Sequence, residues 1–474
     1  MADVERRDSR DIELEKLRAE NEALRAENEE LKRRIIELEK KLEEALRAQK
    51  RQTAPFSKGA PKENPKPRGR KPGEDYGTAS RREAPLVVDE VLQAPLPEHC
   101  ECGGTMVHDR TESQFQEEIP RRPILRRIDI AFGHCDRCGK AKHGRHALQT
   151  SDAVGAAAVQ LGPDAKAMAS LMKNELGLSY GKISTAFDRF FGISISRGGL
   201  AQIVTSVSDR VQAGYRGIAI VVRRSRTAYP DETGWKVNGL LQWMWTIVCR
   251  TATVVGIRDS RGFDVIEEFL GAKWSGTAIH DGWTPYDRLE KADHQQCVQH
   301  PIRRCLRLLE VATRGAVRFP RAVLGVLRRG FAVRDRRDAG EYTPHGLKTA
   351  VGRLEASLER LLHWRLSNAA NRKLRNHLAN HQNEWFLFLK KPGIEATSWP
   401  VDQASRGALA NRKVFGGNRD PRGARAQERL SSLLATARQR GVDIFNYLVR
   451  VICAAPAVRD RLACELMGLP LPAQ

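Results

Sequence analysis

Two acidic turns hold the residues best suited to chemistry. "PDETGW" contains Asp231 and "HDGWTPY" contains Asp281. Carboxylates held close together repel one another unless a cation lies between them. Mg2+ takes oxygen ligands and keeps positions open for water and phosphate. Paired ions of this kind can activate an attacking hydroxyl and stabilise the leaving oxygen of a phosphodiester. Glu232 and His280 stand next to the two aspartates and compete with them as ligands. Both motifs also read as plain turns, because Pro, Asp and Gly favour turn geometry. "QQCVQH" adds Cys297 and His300 at C-x-x-H spacing, half a metal site at most, and reads as packing or support for the acidic site.

A second donor set lies upstream. In "HCDRCGK", Cys135 and Cys138 form a C-x-x-C knuckle followed by Gly139. In "EHCECGG" the spacing is irregular: Cys100 and Cys102 are one residue apart, whereas His99 and Cys102 have the usual x-x spacing. Zn2+ would accept His99, Cys102, Cys135 and Cys138, or Cys100 in place of His99. A redox pair of thiols is the alternative. The alternating apolar residues of "QFQEEIPRRPILRRIDIAFG" predict strands of a zinc ribbon, within a module spanning 85–148.

Asp231 and Asp281 can act together only if the fold joins them. "RTAYPDETGWKV", "LQWMWTIVCR" and "ATVVGIRDS" predict three strands, "GFDVIEEFLG" a helix and "GTAIHDGWTPY" a fourth strand ending in a turn. "DRLEKADHQQCVQHPIRRCLRLL" predicts a helix, a short strand and a long helix. That order belongs to a ribonuclease-H-like α/β core, here 226–440, whose adjacent strand ends present the two aspartates side by side. Residues 306–392 are basic and helix-like, which predicts a helical insertion that grips DNA and shapes the pocket. Residues 441–474 form a helical tail. Trp235, Trp243, Trp245 and Trp283 read as core packing, with Trp283 near enough to Asp281 to contact a frayed base. Cys249, Cys305, Cys453 and Cys464 sit in apolar contexts and read as buried thiols.

Residues 150–225 have helical periodicity. "LSYGKISTAFDRFFGISISRGGLAQIV" has the pattern of a helix-turn-helix, with a turn at Gly192 and a second helix whose first residues, Ser196 and Arg197, would meet phosphate or bases. Two packed core helices would give the same pattern. Residues 50–84 are rich in Pro, Lys, Arg and Gly and predict a disordered tether, in which Arg68 and Arg70 flank a glycine and suit a narrow minor groove. Residues 10–49 carry heptads. Leu17, Leu24, Leu31 and Leu38 take d, and Leu14, Asn21, Asn28, Ile35 and Leu42 take a. The g–e pairs Glu20–Arg25, Glu27–Lys32 and Arg34–Glu39 are opposite in sign, which specifies a parallel homodimer.

The totals agree with a nucleic-acid partner. The chain has 474 residues with 80 Lys and Arg against 58 Asp and Glu, a formal net charge of +22. Charge from Asp3 onward argues against a signal peptide, and no apolar run predicts a membrane span. Nine cysteines, an odd number, argue for a reducing cytoplasm rather than a disulfide framework. The chain reads as multidomain α+β: coiled coil, zinc ribbon, helical DNA-binding segment and catalytic core.

"PDETGW", "HDGWTPY", "HQQCVQHPIRR" and "NRKVFGGNRDPRGARAQERLSSLLATARQRG" resemble the transposases of the insertion sequence 66 group. The likeness runs in order over most of the chain, including the "GRKPG" linker. It implies the DDE class, a ribonuclease-H-like core, and strand cleavage at element ends with joining to target DNA, dependent on Mg2+ (or Mn2+). It makes Asp231 the first acid and Asp281 the second. Relatives carry a third acid, Glu, in a segment upstream of R-K-x-x-G-G-N-R. Counting back from Arg412 in "RKVFGGNR" puts Asp402 there, with Thr397, Trp399, Ala404 and Arg406 keeping the register. This chain therefore reads DDD, and the shorter Asp402 needs its backbone nearer the metal. "SWPVD" suits a helix start, with Ser398 as N-cap and Pro400 in the first turn. Arg406, Arg412, Lys413, Arg419, Arg422 and Arg425 become phosphate contacts; "FGGNRDPRGAR" lacks the ending of a P-loop. The implied partners are the element's terminal repeats, target DNA, a second copy and accessory proteins of the same element, at the nucleoid in the cytoplasm. The alternatives are an inactive, sequence-specific DNA-binding descendant and a nuclease that cleaves without joining.

Overall fold

The computed structural model describes residues 20–31, 33–35, 37–38, 85–95, 97–99, 101–111, 113–115, 123–153 and 160–472. They fall in two units, Met1–Glu117 and Glu118–Gln474. In the first unit the described residues between 20 and 38 are helical (α1), and Leu24, Leu31, Ile35 and Leu38, all seam positions of the heptad, are exposed. The seam residues Leu14, Leu17 and Leu42, the linker with Arg68 and Arg70, and Cys100 lie outside the described residues.

The second unit opens with a small hairpin, β1 (Phe132–His134) and β2 (Ala141–His143), paired antiparallel around the Cys135–Cys138 knuckle. The apolar alternation just before it, at 124–130, forms no strand. These side chains are mostly exposed and have no sheet face to bury against.

Four helices follow: α2 (Pro163–Asn174), α3 (Tyr180–Phe191), α4 (Arg197–Arg210) and α5 (Gln212–Arg223). Ser179 caps α3 by accepting from Lys182 N, and Gly192 closes it in the left-handed region at φ 65°. Ser196 caps α4 by accepting from Gly199 N, 3.0 Å. The helix-turn-helix pair is therefore present as local geometry. Its helices pack through Ile183, Phe187 and Leu200, while Val204 and Val207 of α4 join the main core.

That core is built on a five-stranded sheet: β3 (Thr227–Val237), β4 (Leu240–Val248), β5 (Thr253–Arg258), β6 (Thr277–His280) and β7 (Asp293–Gln296), in the order β5-β4-β3-β6-β7. The first three are antiparallel neighbours, and β6 and β7 add parallel to β3. Between β5 and β6 lies α6 (Phe263–Phe269). Between β6 and β7 the predicted helix is replaced by a 3-10 turn, Thr284–Arg288. The crossover is short, begins with Pro285, and buries only Tyr286 and Leu289, too little apolar surface for a full helix.

Residues alternate between the two sheet faces with the two-residue period of a strand. Ala228, Ile247 and Ala278 pack under α5, α6, α13 (Pro421–Arg440) and α14 (Ile444–Cys453), with α15 (Pro456–Glu465) behind. Tyr229, Val248 and Ile279 face the opposite way. They meet the predicted long helix α7 (Gln299–Val311) and the helices of the predicted insertion, α8 (Arg318–Asp338), α9 (Pro344–Leu362), α10 (Ala369–Asn380) and α11 (Leu387–Lys390). Then α12 (Trp399–Phe415) crosses β3 and β4. Cys249, Cys305 and Cys464 are buried as expected, and Cys453 is half-buried.

Edge strand β5 is covered by α13. Glu428, Ser432 and Thr436, spaced one helical turn apart, accept from the outward backbone N–H groups of Ile257 (3.0 Å), Val255 (2.8 Å) and Thr253 (3.1 Å). A helix thus stands where a sixth strand would be, and removes the hazard of an open edge. Ser432→Ala leaves the Val255 N–H buried without its partner, and should cost about 1–3 kcal/mol in a denaturant melt.

Candidate active site

Asp231 lies on β3 and Asp281 directly follows β6, the strand paired parallel to it. Tyr229 and Ile279 point to the insertion face, so two residues further along each strand the acids share that face. Asp281 is fixed by a turn in which its Oδ1 accepts from Trp283 N at 3.0 Å, with Gly282 at φ 84°. A Cβ at Gly282 would crowd Gln296 and His377, so glycine is needed at this bend on both counts.

Asp402 lies in the first turn of α12, itself exposed beside the fully buried Val401. Three attachments hold that helix. Arg412 donates to Thr233 Oγ1 (3.1 Å) and to the Gly234 carbonyl of β3. Beyond the helix, Asn418 N donates to Lys236 O (2.8 Å), Asn238 N donates to Asn418 O (2.9 Å), and Trp235 Nε1 donates to Asn418 Oδ1 (2.7 Å). Gly417 sits at φ 126°, where a Cβ would collide with Lys236 O. At the other end, Ser398 N and Oγ both donate to Cys297 Sγ at 3.2 Å. "RKVFGGNR" is thus the clamp that sets α12, and Asp402 with it, against the strand bearing Asp231.

Two expectations change here. Arg412 is committed to β3 rather than offered to phosphate. Ser398 occupies the N-cap position but makes no capping bond; its hydroxyl goes to Cys297 instead. Arg406, Lys413, Arg419, Arg422 and Arg425 are exposed. Arg197 is exposed and lies along Gly181, and the Ser196 hydroxyl is taken up by its own helix cap.

The electrostatics single out Asp231. Burial pushes it up to about 7, the carboxylates of Glu232, Asp281 and Asp402 push the same way, and His300 pulls it down. Acids remote in sequence, Asp281 and Asp402, therefore both act on Asp231. Glu232 and His280 do not compete as ligands. Both Glu232 oxygens are engaged: Arg261 donates to Oε1 (2.8 and 3.0 Å) and Tyr286 OH to Oε2 (2.7 Å). His280 is fully buried and held neutral, its basicity pushed down to about 3 by burial and by His294. Its Nε2 lies 2.9 Å from His294 Nδ1, and its Nδ1 accepts from Gly282 N.

Cys297 and His300 support the site, as one reading of their spacing held. Burial alone would raise the Cys297 thiol, but hydrogen bonds with His300 and Ser398 bring it below its ordinary value. The contact with Cys297 raises His300 in turn, and Asp281 adds to that. His300 Nδ1 is buried without a hydrogen-bond partner among the described residues. The tryptophans divide. Trp235 and Trp245 are buried, whereas Trp243 and Trp283 sandwich the Arg261 guanidinium at 4.5 and 4.0 Å. Arg261 and Tyr286 carried no signal in the sequence, since each is recognisable only by its partner, and Ser398 read only as a helix cap.

Among the described residues no three His, Cys, Asp or Glu side chains converge as a metal-holding group. The donors around Asp231 are nonetheless hard carboxylate oxygens, the ligand type that suits Mg2+. In the upstream donor set, the Cys135 thiol is favoured as thiolate by the backbone N–H groups of Cys138 and Arg137. His99 and Cys102 belong to the other unit. Among the described residues no helix is long and apolar enough to cross a membrane.

A mixed α/β core with acids gathered at its strand ends defines a class that includes nucleases and transposases. Residues 158–426, from just before α2 into α13 and including all three aspartates, match the family model described as "Transposase IS66 family", and the chain belongs to that family. None of the curated proteins matches this sequence.

Proposed function

We propose that this chain cuts the ends of its own insertion sequence and joins the freed 3′ ends to target DNA, with Asp231, Asp281 and Asp402 holding Mg2+ (or Mn2+). The observation that carries the proposal is the half-buried Asp231, raised to about 7 first by burial and then by the carboxylates of Glu232, Asp281 and Asp402. The strand order, three antiparallel strands followed by two parallel ones, supports a ribonuclease-H-like reading of the core. Bound divalent ions supply activation of the attacking hydroxyl and stabilisation of the leaving oxygen. The protein's own part is to fix the three carboxylates, to place protonatable His300 beside them, and to offer exposed Arg406, Lys413, Arg419, Arg422 and Arg425 to the DNA backbone. The exposed apolar seam of α1 supports pairing with a second copy. The Cys135–Cys138 knuckle supports half of a Zn2+ site.

The test is Mg2+-dependent nicking of a duplex carrying the element's end. Wild type should nick and Asp402→Ala should not, by a margin of about a thousandfold, equivalent to about 4 kcal/mol of transition-state stabilisation. Asp402→Glu, one methylene longer, should retain nicking. Nicking that survives Asp402→Ala would remove Asp402 from the site. Wild type that binds the end but never nicks would favour the inactive DNA-binding reading.

A further inference from the structure

The parallel strands that carry the acids at one end start, at the other, beneath a basic pocket of about 780 Å3. Thr227, Thr277 and Asp293 pair in register across the starts of β3, β6 and β7 and form its rim. Asp281 lies four residues beyond Thr277, or ~13 Å at the strand rise. The pocket and the acids therefore sit at opposite ends of the same strands.

Its walls are rigid. Trp274 is buried and donates from Nε1 to Ser225 O (2.9 Å), Thr277 N donates to Arg226 O (2.9 Å), and Asp293 N donates to Gly276 O (2.9 Å). A Cβ at Gly276 would collide with the Trp274 ring and Arg226 O, so the two walls meet at a glycine. The pocket's one carboxylate, Asp293, is already paired with Lys391. Arg223 is occupied by the carbonyls of Glu268 and Phe269. Arg224, Arg226 and Lys273 remain: they are exposed, line the pocket, and their side chains make no hydrogen bond or ion pair with a described residue. Many other arginines of this unit do have partners, including Arg258, Arg261, Arg337, Arg412, Arg429 and Arg440.

We propose that this pocket binds backbone phosphates of a DNA segment other than the one being cut. Three unpaired cations around a preformed, polar concavity suit phosphodiester oxygens. The separation from the acids means that a phosphate held here is not the scissile one. The inference rests on the reading of the chain as a DNA-acting protein, but not on its catalysis.

The experiment compares full-length wild type with Arg224→Ala/Arg226→Ala/Lys273→Ala. Binding is read by fluorescence anisotropy on two duplexes, one covering only the scissile step and one several helical turns longer, each over a salt series. The variant should bind the long duplex roughly tenfold or more weakly, with a log–log salt slope shallower by about 2 to 3. Its binding and nicking of the short duplex should match wild type. The charge-keeping variant Arg224→Lys/Arg226→Lys/Lys273→Arg should restore the long-duplex slope. Inorganic pyrophosphate should compete for the long duplex only at high concentration; strong competition at low concentration would mean a free-nucleotide or pyrophosphate site and overturn the proposal. An unchanged slope, or equal losses on both duplexes, would also overturn it. If wild type fails to nick but the slopes separate as expected, the catalytic reading falls and the pocket stands.

Discussion

Asp231→Asn should abolish nicking and, in the absence of divalent metal at pH 8, make the protein more stable. The loss of nicking should be about a thousandfold or more, because an amide cannot replace a carboxylate as an anionic ligand. The gain in stability follows from the same burial. Asp231 has an ordinary value of 3.8 and is raised to about 7 in the folded chain. Below about pH 4 both folded and unfolded forms are protonated, and the residue costs nothing. Between about 4 and 7 the unfolded chain loses the proton while the folded chain keeps it, so stability falls as pH rises. Above about 7 the full cost remains, about 2–4 kcal/mol for a mostly buried group. Asparagine carries no such cost. Thermal melts in EDTA should therefore show the variant above wild type at pH 8 and level with it near pH 4.

Divalent metal supplies the discriminating arm. Mg2+ should raise the melting temperature of wild type at pH 8 and leave Asp231→Asn nearly unmoved, because a ligand that binds only the folded state stabilises it by mass action. The metal response should weaken as pH drops below about 7, where protons compete for the same carboxylate. Equal Mg2+ shifts in both proteins would show that the cation binds elsewhere.

Much of this site could be read from sequence because strands keep a strict two-residue period. Given β3 and β6 as parallel neighbours, the apolar Tyr229 and Ile279 fix the face, and Asp231 and Asp281 follow from parity. Asp402 required a motif, since nothing local says that α12 packs against β3. The structure supplies the physical content of that motif: Gly417, Asn418 and Arg412 fasten the helix to the strand. What stayed hidden depends on contacts between distant segments. The Glu428–Ser432–Thr436 stripe looks like an ordinary polar helix face until it meets the edge of β5. The Ser398–Cys297 bond looks like a cap and a half-site. The basic pocket gathers cations from the end of α5 and the loop before β6, too dispersed to register as a charge run. The helix expected between β6 and β7 failed for a local reason: its apolar spacing was present, but a proline and a short crossover left room for one 3-10 turn.

Glu232, the residue after Asp231, should behave in the opposite way: Glu232→Ala should destabilise the protein by about 2–4 kcal/mol, the range for breaking a buried ion pair, lowered because Arg261 keeps some solvent contact. The Glu232 side chain is 3% exposed and that of Arg261 is 35% exposed. Burial raises the Glu232 carboxyl, but Tyr286 and Arg261 each donate to it and pull it back. Its removal strands a phenol in the core and a guanidinium stacked between Trp243 and Trp283. Because Trp283 N also fixes Asp281, the damage should extend to the acid site, with nicking falling along with stability. Glu232→Gln separates the two roles. The amide oxygen can still accept one hydrogen bond, so the fold should lose less, while the guanidinium loses its counter-charge. Denaturant melts of the three proteins, wild type, Gln and Ala, should rank in that order. If Glu232→Ala instead gained stability as Asp231→Asn does, Glu232 would belong with the crowded acids rather than with the support beneath them.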